Sequence, residues 1–158
     1  GGSSGPEYVE ILELARNTPA PGGKGSLLQD QAFREKLASW YVSAEGYTLG
    51  KYRTMTALSK GQTPGPESSI GKILNANRMQ DLSNAAIEAE DHFGIIADPA
   101  IAPMQAAFQN AYMWAPGLRI AGGTDEILRN IIAERVLGLP QDVRVDKGVA
   151  YKDLPGGR

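Results

Sequence analysis

The sequence predicts an all-α domain: an up-and-down bundle of four principal helices, with a short leading helix before it and an extended tail after it. Three observations predict this fold. Apolar residues recur at spacings of three and four over long stretches, as they do on one face of a helix. Segments rich in glycine and proline separate these stretches, as short turns between antiparallel helices require. No segment alternates apolar and polar residues for long enough to indicate a strand.

The chain of 158 residues has the length of one domain. We expect residues 1–5 (GGSSG) to form a flexible leader or linker, and residues 6–140 to form the bundle. The leading helix is predicted over Pro6–Arg16, because proline suits a first helical position and an apolar stripe follows it. That stripe consists of Tyr8, Ile11, Leu12 and Ala15. The stretch TPAPGGKGS over residues 18–26 is predicted to be a loop.

Two long helices are predicted next, over Asp30–Lys60 and Glu67–Phe93, because GQTPGP interrupts the helical period between them. The first carries a broad apolar face, and Gly46 and Gly50 within it would let a second helix approach closely. The second helix is rich in small residues, so we expect it at the centre of the packing. Its predicted inward face consists of Ile70, Ile73, Leu74, Asn77, Leu82, Ala85, Ala86, Ala89 and Phe93.

A shorter helix is predicted from Pro103 to near Pro116, followed by a loop that contains Gly122 and Gly123. Two adjacent glycines allow positive φ and close approach of another group to the backbone. Such a turn is either a tight connection or, less often, an anion site.

The last helix begins after that loop. Thr124 is the predicted N-cap, and Asp125 and Glu126 place negative charge in the first turn, where the helix dipole favours it. The helix is predicted to be buried through Ile127, Leu128, Ile131, Ile132 and Val136, and to stop at Gly138 and Pro140. Residues 141–158 are predicted to form an extended tail.

Composition excludes several functions. The net charge of -2 gives no basic field for nucleic acid or acidic lipid, so we expect neither partner. No apolar run approaches the roughly 20 residues that span a bilayer. The chain has no cysteine and a single histidine, His92, which with Glu88 would supply only two metal ligands; we therefore predict no metal site. A soluble, intracellular helical domain fits these limits.

The string GGTDEILRNIIAERVLGLP closely resembles the closing segment of the acyl-CoA dehydrogenase family, whose members carry G-G-T-x-E-I-x-R-x-I-I-A-x-x-[VI]-L-G there. The match covers about twenty residues with few substitutions. It implies the family's helical C-terminal domain, an acyl-CoA substrate and FAD as the cofactor.

The resemblance also implies cofactor-binding residues: Gly122, Gly123, Thr124 and Glu126. Thr124 and Glu126 lie where the family contacts the pyrophosphate and the adenosine half of the flavin. Arg16 stands roughly where the family has an arginine that reaches a neighbouring subunit's flavin. The alternative for Arg16 is a surface arginine that completes a helix end. Asp125 and Glu126 could also be an acid/base pair, or first-turn acids that only favour the helix dipole. Arg129 and Arg135 fit either subunit contacts or a solvated face.

The family's reaction needs a carboxylate base that removes an α-proton while hydride leaves the β-carbon. In many members this glutamate directly precedes the Gly-Thr of the loop, but Gly122 occupies that position here. A second branch of the family carries the base on an earlier helix, which would place it upstream of Gly1. We therefore predict no catalytic residue in this chain and expect the chain alone to be inactive.

Three hypotheses follow. The chain is the C-terminal domain of an acyl-CoA dehydrogenase, or a non-catalytic scaffold or partner subunit of such an enzyme, or an unrelated four-helix interaction module. We favour the first. The aromatic residues exceed what four helices need internally, so we expect a homo-oligomer or an assembly with an unlike dehydrogenase subunit. These aromatics are Trp40, Tyr41, Tyr47, Tyr52 and Trp114. The expected location is the bacterial cytoplasm, or the mitochondrial matrix in a eukaryote.

Overall fold

The computed structural model describes residues 5–63, 65–144, 146 and 148–154. This part of the chain is helical and contains no strand beyond one isolated bridge between Pro19 and Ser26. The five α-helices are α1 (Tyr8–Asn17), α2 (Gln31–Ser59), α3 (Ser68–Ala89), α4 (Ala107–Leu118) and α5 (Asp125–Ile131). Short 3-10 turns lie at Leu27–Gln29, Asp91–Ile95, Pro103–Ala106 and Tyr151–Asp153, and a π-helical turn extends α5 over Ile132–Val136. The predicted all-α class is confirmed.

Local capping sets where the helices begin. The Asp30 carboxylate accepts a hydrogen bond of 2.7 Å from the amide of Phe33 and so starts α2. Glu7 and Glu10 form a reciprocal capping box at the start of α1. These two helices therefore begin one or two residues after the predicted positions, at the residues whose side chains satisfy the first free amides.

Helix α3 lies at the centre, as predicted, and packs against α1, α2, α4 and α5. The core is built where these helices meet, around the fully buried side chains of Ile11, Leu82 and Phe108. Trp40 belongs to this core: its ring meets Phe33 edge-on, and its indole N–H donates to the Asp81 carboxylate at 2.7 Å. The expectation of Trp40 at an intersubunit surface is therefore wrong, because its apolar body and its polar atom are both satisfied within the chain.

The second half of α2 lies outside this core. Leu49, Tyr52, Met55 and Leu58 are all more than half exposed. Nothing lies within 4 Å of a β-carbon placed at Gly46 or Gly50. The predicted close approach of a second helix at these glycines is therefore wrong among the described residues: α3 meets α2 at the neighbouring Tyr47, whose ring would lie 3.3 Å from a β-carbon at Gly71.

The predicted burial of the last helix is also only partly correct. Leu128 is buried, Ile127 is 53% exposed, and Ile131, Ile132 and Val136 are half-buried. The reason is geometric: α5 packs mainly on α3, so a broad apolar stripe exceeds the surface that this neighbour covers. Of the predicted inward face of the second long helix, Ile70 and Leu74 on α3 and Phe93 in the following 3-10 turn are also exposed.

The two ends of the chain are described only in part. Residues 1–4 and 155–158 lie outside the described residues, so the predicted flexible leader and tail, and the division at residues 6 and 140, stay predictions. The described part of the tail contains one 3-10 turn at Tyr151–Asp153. No helix in the described ranges is long and apolar enough to cross a membrane.

Candidate functional site

The Gly-Gly loop between α4 and α5 has the backbone that its sequence predicts. Gly122 and Gly123 adopt φ values of +66° and +103°, a region that residues with a side chain rarely occupy. A β-carbon at Gly122 would meet only the Lys72 nitrogen, at 3.9 Å, so the space beside this residue is open. The loop thus exposes its backbone at residue 122, the position at which the resemblance described above implies a glutamate in many family members.

Lys72 on α3 holds this loop from one side. Its ammonium group donates to the carbonyl oxygens of both Ala121 and Gly123. These partners are 49 and 51 positions away in sequence. Sequence reasoning missed Lys72 because nothing in its local pattern distinguishes a lysine that binds a distant loop from a solvated one.

The Lys72 contacts fix the direction of two amides. In a trans peptide the N–H points opposite to the C=O of the same unit, and no cis bond occurs in the described chain. Because Lys72 binds the carbonyls of Ala121 and Gly123, the amides of Gly122 and Thr124 point away from it. Neither amide donates to another group of the described residues. Two free donors on the side of the loop away from Lys72, just before a helix, form a surface that can receive an anion.

A second clamp joins the two ends of the loop. Arg119, just after α4, donates from its Nε and a terminal nitrogen to one carboxylate oxygen of Asp125, each at 2.7 Å, and donates to Gln80 of α3 at 3.1 Å. The Asp125 amide also donates to the Arg119 carbonyl at 3.2 Å. Asp125 is only 3% exposed, and its other oxygen has no partner within the described structure. The carboxylate is therefore committed to structure, and a role for Asp125 in an acid/base pair does not fit this geometry.

Thr124, which carries one of the two free amides, and Glu126 begin the helix that follows the loop. The Thr124 hydroxyl accepts from the amide of Ile127 at 3.4 Å, which confirms Thr124 as the N-cap. The Glu126 side chain is fully exposed, and hydrogen bonds from its own backbone amide and from the Thr124 hydroxyl lower its pKa below the ordinary value. Glu126 therefore presents a charged, hydrogen-bond-accepting carboxylate at neutral pH.

Arg16 and His92 lie elsewhere. Arg16, at the end of α1, pairs with Glu13 at 3.3 Å, and no hydrogen bond or ion pair of the described residues joins it to the Gly-Gly loop. The structure thus brings Gly122, Gly123, Thr124 and Glu126 together and leaves Arg16 apart from them. His92 is almost completely exposed beside Asp91. No group of three metal-ligating side chains occurs in the described ranges.

A separate buried polar pair links the end of α3 to α4. The Gln109 amide donates to the Glu90 carboxylate at 2.5 Å and to the carbonyl of Gly94 at 3.3 Å. Burial raises the pKa of Glu90, with the Gln109 hydrogen bond opposing that shift. A β-carbon at Gly94 would lie 2.3 Å from the Ile87 carbonyl oxygen, so only glycine fits this turn. The pair holds the turn after α3 against α4.

An all-helical bundle whose last helix follows a clamped Gly-Gly-Thr loop defines the class of helical C-terminal domains found in acyl-CoA dehydrogenases. The chain belongs to the acyl-CoA dehydrogenase family: the model of "Acyl-CoA dehydrogenase, C-terminal domain" matches residues 2–137, more than half of the chain.

Individual proteins and solved structures that this chain resembles support the same family. The chain is 30% identical over 138 residues to acyl-CoA dehydrogenase IpdE1 of Mycolicibacterium smegmatis, which covers 87% of this chain and 31% of that protein. Its fold is similar to a chain of the ChsE4–ChsE5 complex from Mycobacterium tuberculosis, with a TM-score of 0.71, 24% identity, and coverage of 85% of this chain and 35% of that one. It is also similar to the structure titled Tcur3481-Tcur3483 steroid ACAD, with a TM-score of 0.69, 19% identity, and coverage of 85% and 33%. The chain spans about a third of the length of the relatives it matches.

Proposed function

We propose that this chain is the C-terminal helical part of an FAD-dependent acyl-CoA dehydrogenase and that its Gly-Gly loop binds the pyrophosphate of the flavin. Membership of the family supports oxidoreductase activity. The single observation that carries the cofactor assignment is the pair of free amides at Gly122 and Thr124. When bound, FAD accepts hydride from the β-carbon of the acyl-CoA thioester.

The residues around the loop fit a dinucleotide. An anionic phosphate near the Gly122 and Thr124 amides would receive two hydrogen bonds and would meet no side chain at residue 122. The Glu126 carboxylate would repel a phosphate, but it can accept hydrogen bonds from hydroxyl groups, so we assign it to the adenosine half. We assign Arg16 to the flavin site of a neighbouring subunit, since its contacts among the described residues are to Glu13 and not to the loop.

The loop supplies no base for removal of the α-proton. Gly122 and its neighbours Ala121 and Gly123 lack a titratable side chain, and Asp125 is bound to Arg119. We therefore place the base in another part of the enzyme. Since the named relatives are bacterial, we place the reaction in the cytoplasm.

A second candidate function is that of a non-catalytic subunit that contributes assembly and part of a flavin site to an unlike dehydrogenase subunit. The glycine at position 122 favours it, and so does the likeness of the fold to chains from complexes of two differently named proteins. Both candidates use the same loop and differ in which chain carries the base.

The test uses the native gene product, purified together with any partner that accompanies it. We expect it to bind FAD, measured by flavin fluorescence, and to lose flavin absorbance when acyl-CoA is added without oxygen. Glu126→Gln should weaken FAD binding, whereas the matched variant Glu134→Gln, whose carboxylate accepts from Gln141 at 2.9 Å, should not. FAD binding with reduction only after an unlike subunit is added would favour the second candidate. No FAD binding in either preparation would refute both.

A further inference from the structure

Lys72 determines on which side of the Gly-Gly loop the backbone N–H groups lie, because its ammonium group binds two carbonyl oxygens of the loop on the other side. Each bound carbonyl belongs to a peptide unit whose amide is free: Ala121 precedes Gly122, and Gly123 precedes Thr124. Glycines at 122 and 123 allow either peptide unit to rotate, since neither has a β-carbon that restricts φ. Without a cation on one side, nothing else among the described contacts fixes the direction of these units.

We propose that Lys72 is a positioning residue, which orients the amides of Gly122 and Thr124 toward the phosphates of a bound dinucleotide. The inference deepens the proposed function and rests on it. Lys72 lies at the carbonyl edge of each peptide unit and the proposed phosphates at the opposite, amide edge, so it acts through the backbone and not by pairing with the phosphate charge. Its charge also makes both carbonyl contacts stronger than neutral hydrogen bonds.

The loop has a second restraint that separates orientation from folding. Arg119 and Asp125 join its two ends independently of Lys72. Loss of Lys72 should therefore leave α4, α5 and the path of the loop in place while the two peptide units become free to turn. A ligand must then order them on binding, which lowers its affinity.

The experiment uses Lys72→Met in the native gene product, since methionine keeps most of the unbranched stem and removes the ammonium group. We expect FAD to bind about tenfold more weakly, which corresponds to about 1.4 kcal/mol, close to the lower end of the range for one charged hydrogen bond. The matched control is Lys51→Met, which removes the same charge from α2, where Lys51 lies 5.5 Å from the ring centre of Tyr47. The control should bind FAD within about twofold of the wild type.

A second measurement distinguishes orientation from general loss of structure. Hydrogen exchange resolved to single residues should show the Gly122 and Thr124 amides protected by saturating FAD in the wild type. In Lys72→Met these two amides should need about tenfold more FAD to reach the same protection, whereas the amides of α5 keep wild-type protection. Lys72→Arg, which keeps the charge and the donors, should recover part of both the affinity and the protection.

The outcomes separate this inference from the proposed function. Wild-type protein that binds FAD, with unchanged affinity and amide protection in Lys72→Met, would overturn the role of Lys72 alone. A parallel loss of protection throughout α5 would show that Lys72 only stabilises the fold and would also overturn it. Failure of the wild type to bind FAD would overturn the proposed function, and this inference with it.

Discussion

Replacement of Asp125 by asparagine tests whether the buried ion pair holds the Gly-Gly loop closed. The change preserves the shape of the side chain and removes its charge. One oxygen can still accept from Arg119, whose guanidinium binds the present carboxylate through two contacts of 2.7 Å. The new amide nitrogen would occupy the buried position of the oxygen that has no partner now. The variant therefore replaces an ion pair by hydrogen bonds in which only the arginine is charged, and it buries an unpaired donor.

The expected cost follows from these contacts. Hydrogen bonds to charged groups contribute about 1.5–3 kcal/mol, and the pair would lose one of its two charges while the arginine stays charged, so we expect a loss of about 1–2 kcal/mol. The Arg119 side chain is 40% exposed, which keeps the loss below that of a fully buried pair. For a chain of this size such a loss lowers the thermal midpoint by about 2–8 °C.

The assay is urea unfolding followed by circular dichroism, with Asp146→Asn as the matched control. Asp146 pairs with Arg144 at 3.1 Å, but the two side chains are 50% and 60% exposed, so its loss should cost much less stability than the loss of Asp125. An Arg119→Met variant and the double mutant would give the coupling energy of the pair. Equal free energies of unfolding for Asp125→Asn and Asp146→Asn would refute the reasoning that burial makes the first pair matter.

Two further predictions concern burial elsewhere in the bundle. Because burial raises the pKa of Glu90, the folded chain binds its proton more readily than the unfolded chain, so Glu90 costs stability as the pH rises above its ordinary pKa of 4.5. Glu90→Gln should therefore be more stable than the wild type at pH 7, with the gain disappearing below about pH 4; a gain that is constant over this range would contradict a titrating Glu90. The exposed face of Leu49, Tyr52, Met55 and Leu58 on α2 predicts self-association, which sedimentation equilibrium at micromolar concentration should detect and Met55→Glu should weaken. A clean wild-type monomer would count against it.

Local signals in the sequence were sufficient for the helices and for the start of the candidate site. Thr124 could be predicted because an N-cap is recognised from the residues around it. The positive φ values at Gly122 and Gly123 could be predicted because residues without a side chain adopt them at little cost. The partners of the loop could not be predicted. Lys72 and Gln80 contact the loop from α3, and only the packing of α3 against α4 and α5 brings them there.

The spacing of apolar residues also could not predict which part of each helix is buried. The apolar face of α2 has the same helical spacing on both sides of Gly46, yet Trp40 is in the core and Met55 is 61% exposed. A periodic stripe shows that a face is apolar and does not show whether its partner belongs to the same chain. In the same way, an acid in a first turn favours the helix dipole whether it is exposed, as Glu126 is, or buried, as Asp125 is.

The glycine at position 122 shows how the flavin-binding loop can keep its shape without carrying the catalytic base. The shape of the loop depends on Lys72, on the pair of Arg119 and Asp125, and on the N-cap at Thr124, and none of these contacts involves a side chain at residue 122. With φ at +66°, glycine is the residue least strained there, and a glutamate would cost about 1–2 kcal/mol of backbone strain. Loss of a base from this position would therefore leave the two free amides intact and relieve strain in the loop. A family member can on this account keep a flavin-binding loop while another part of the enzyme, or another subunit, provides the base.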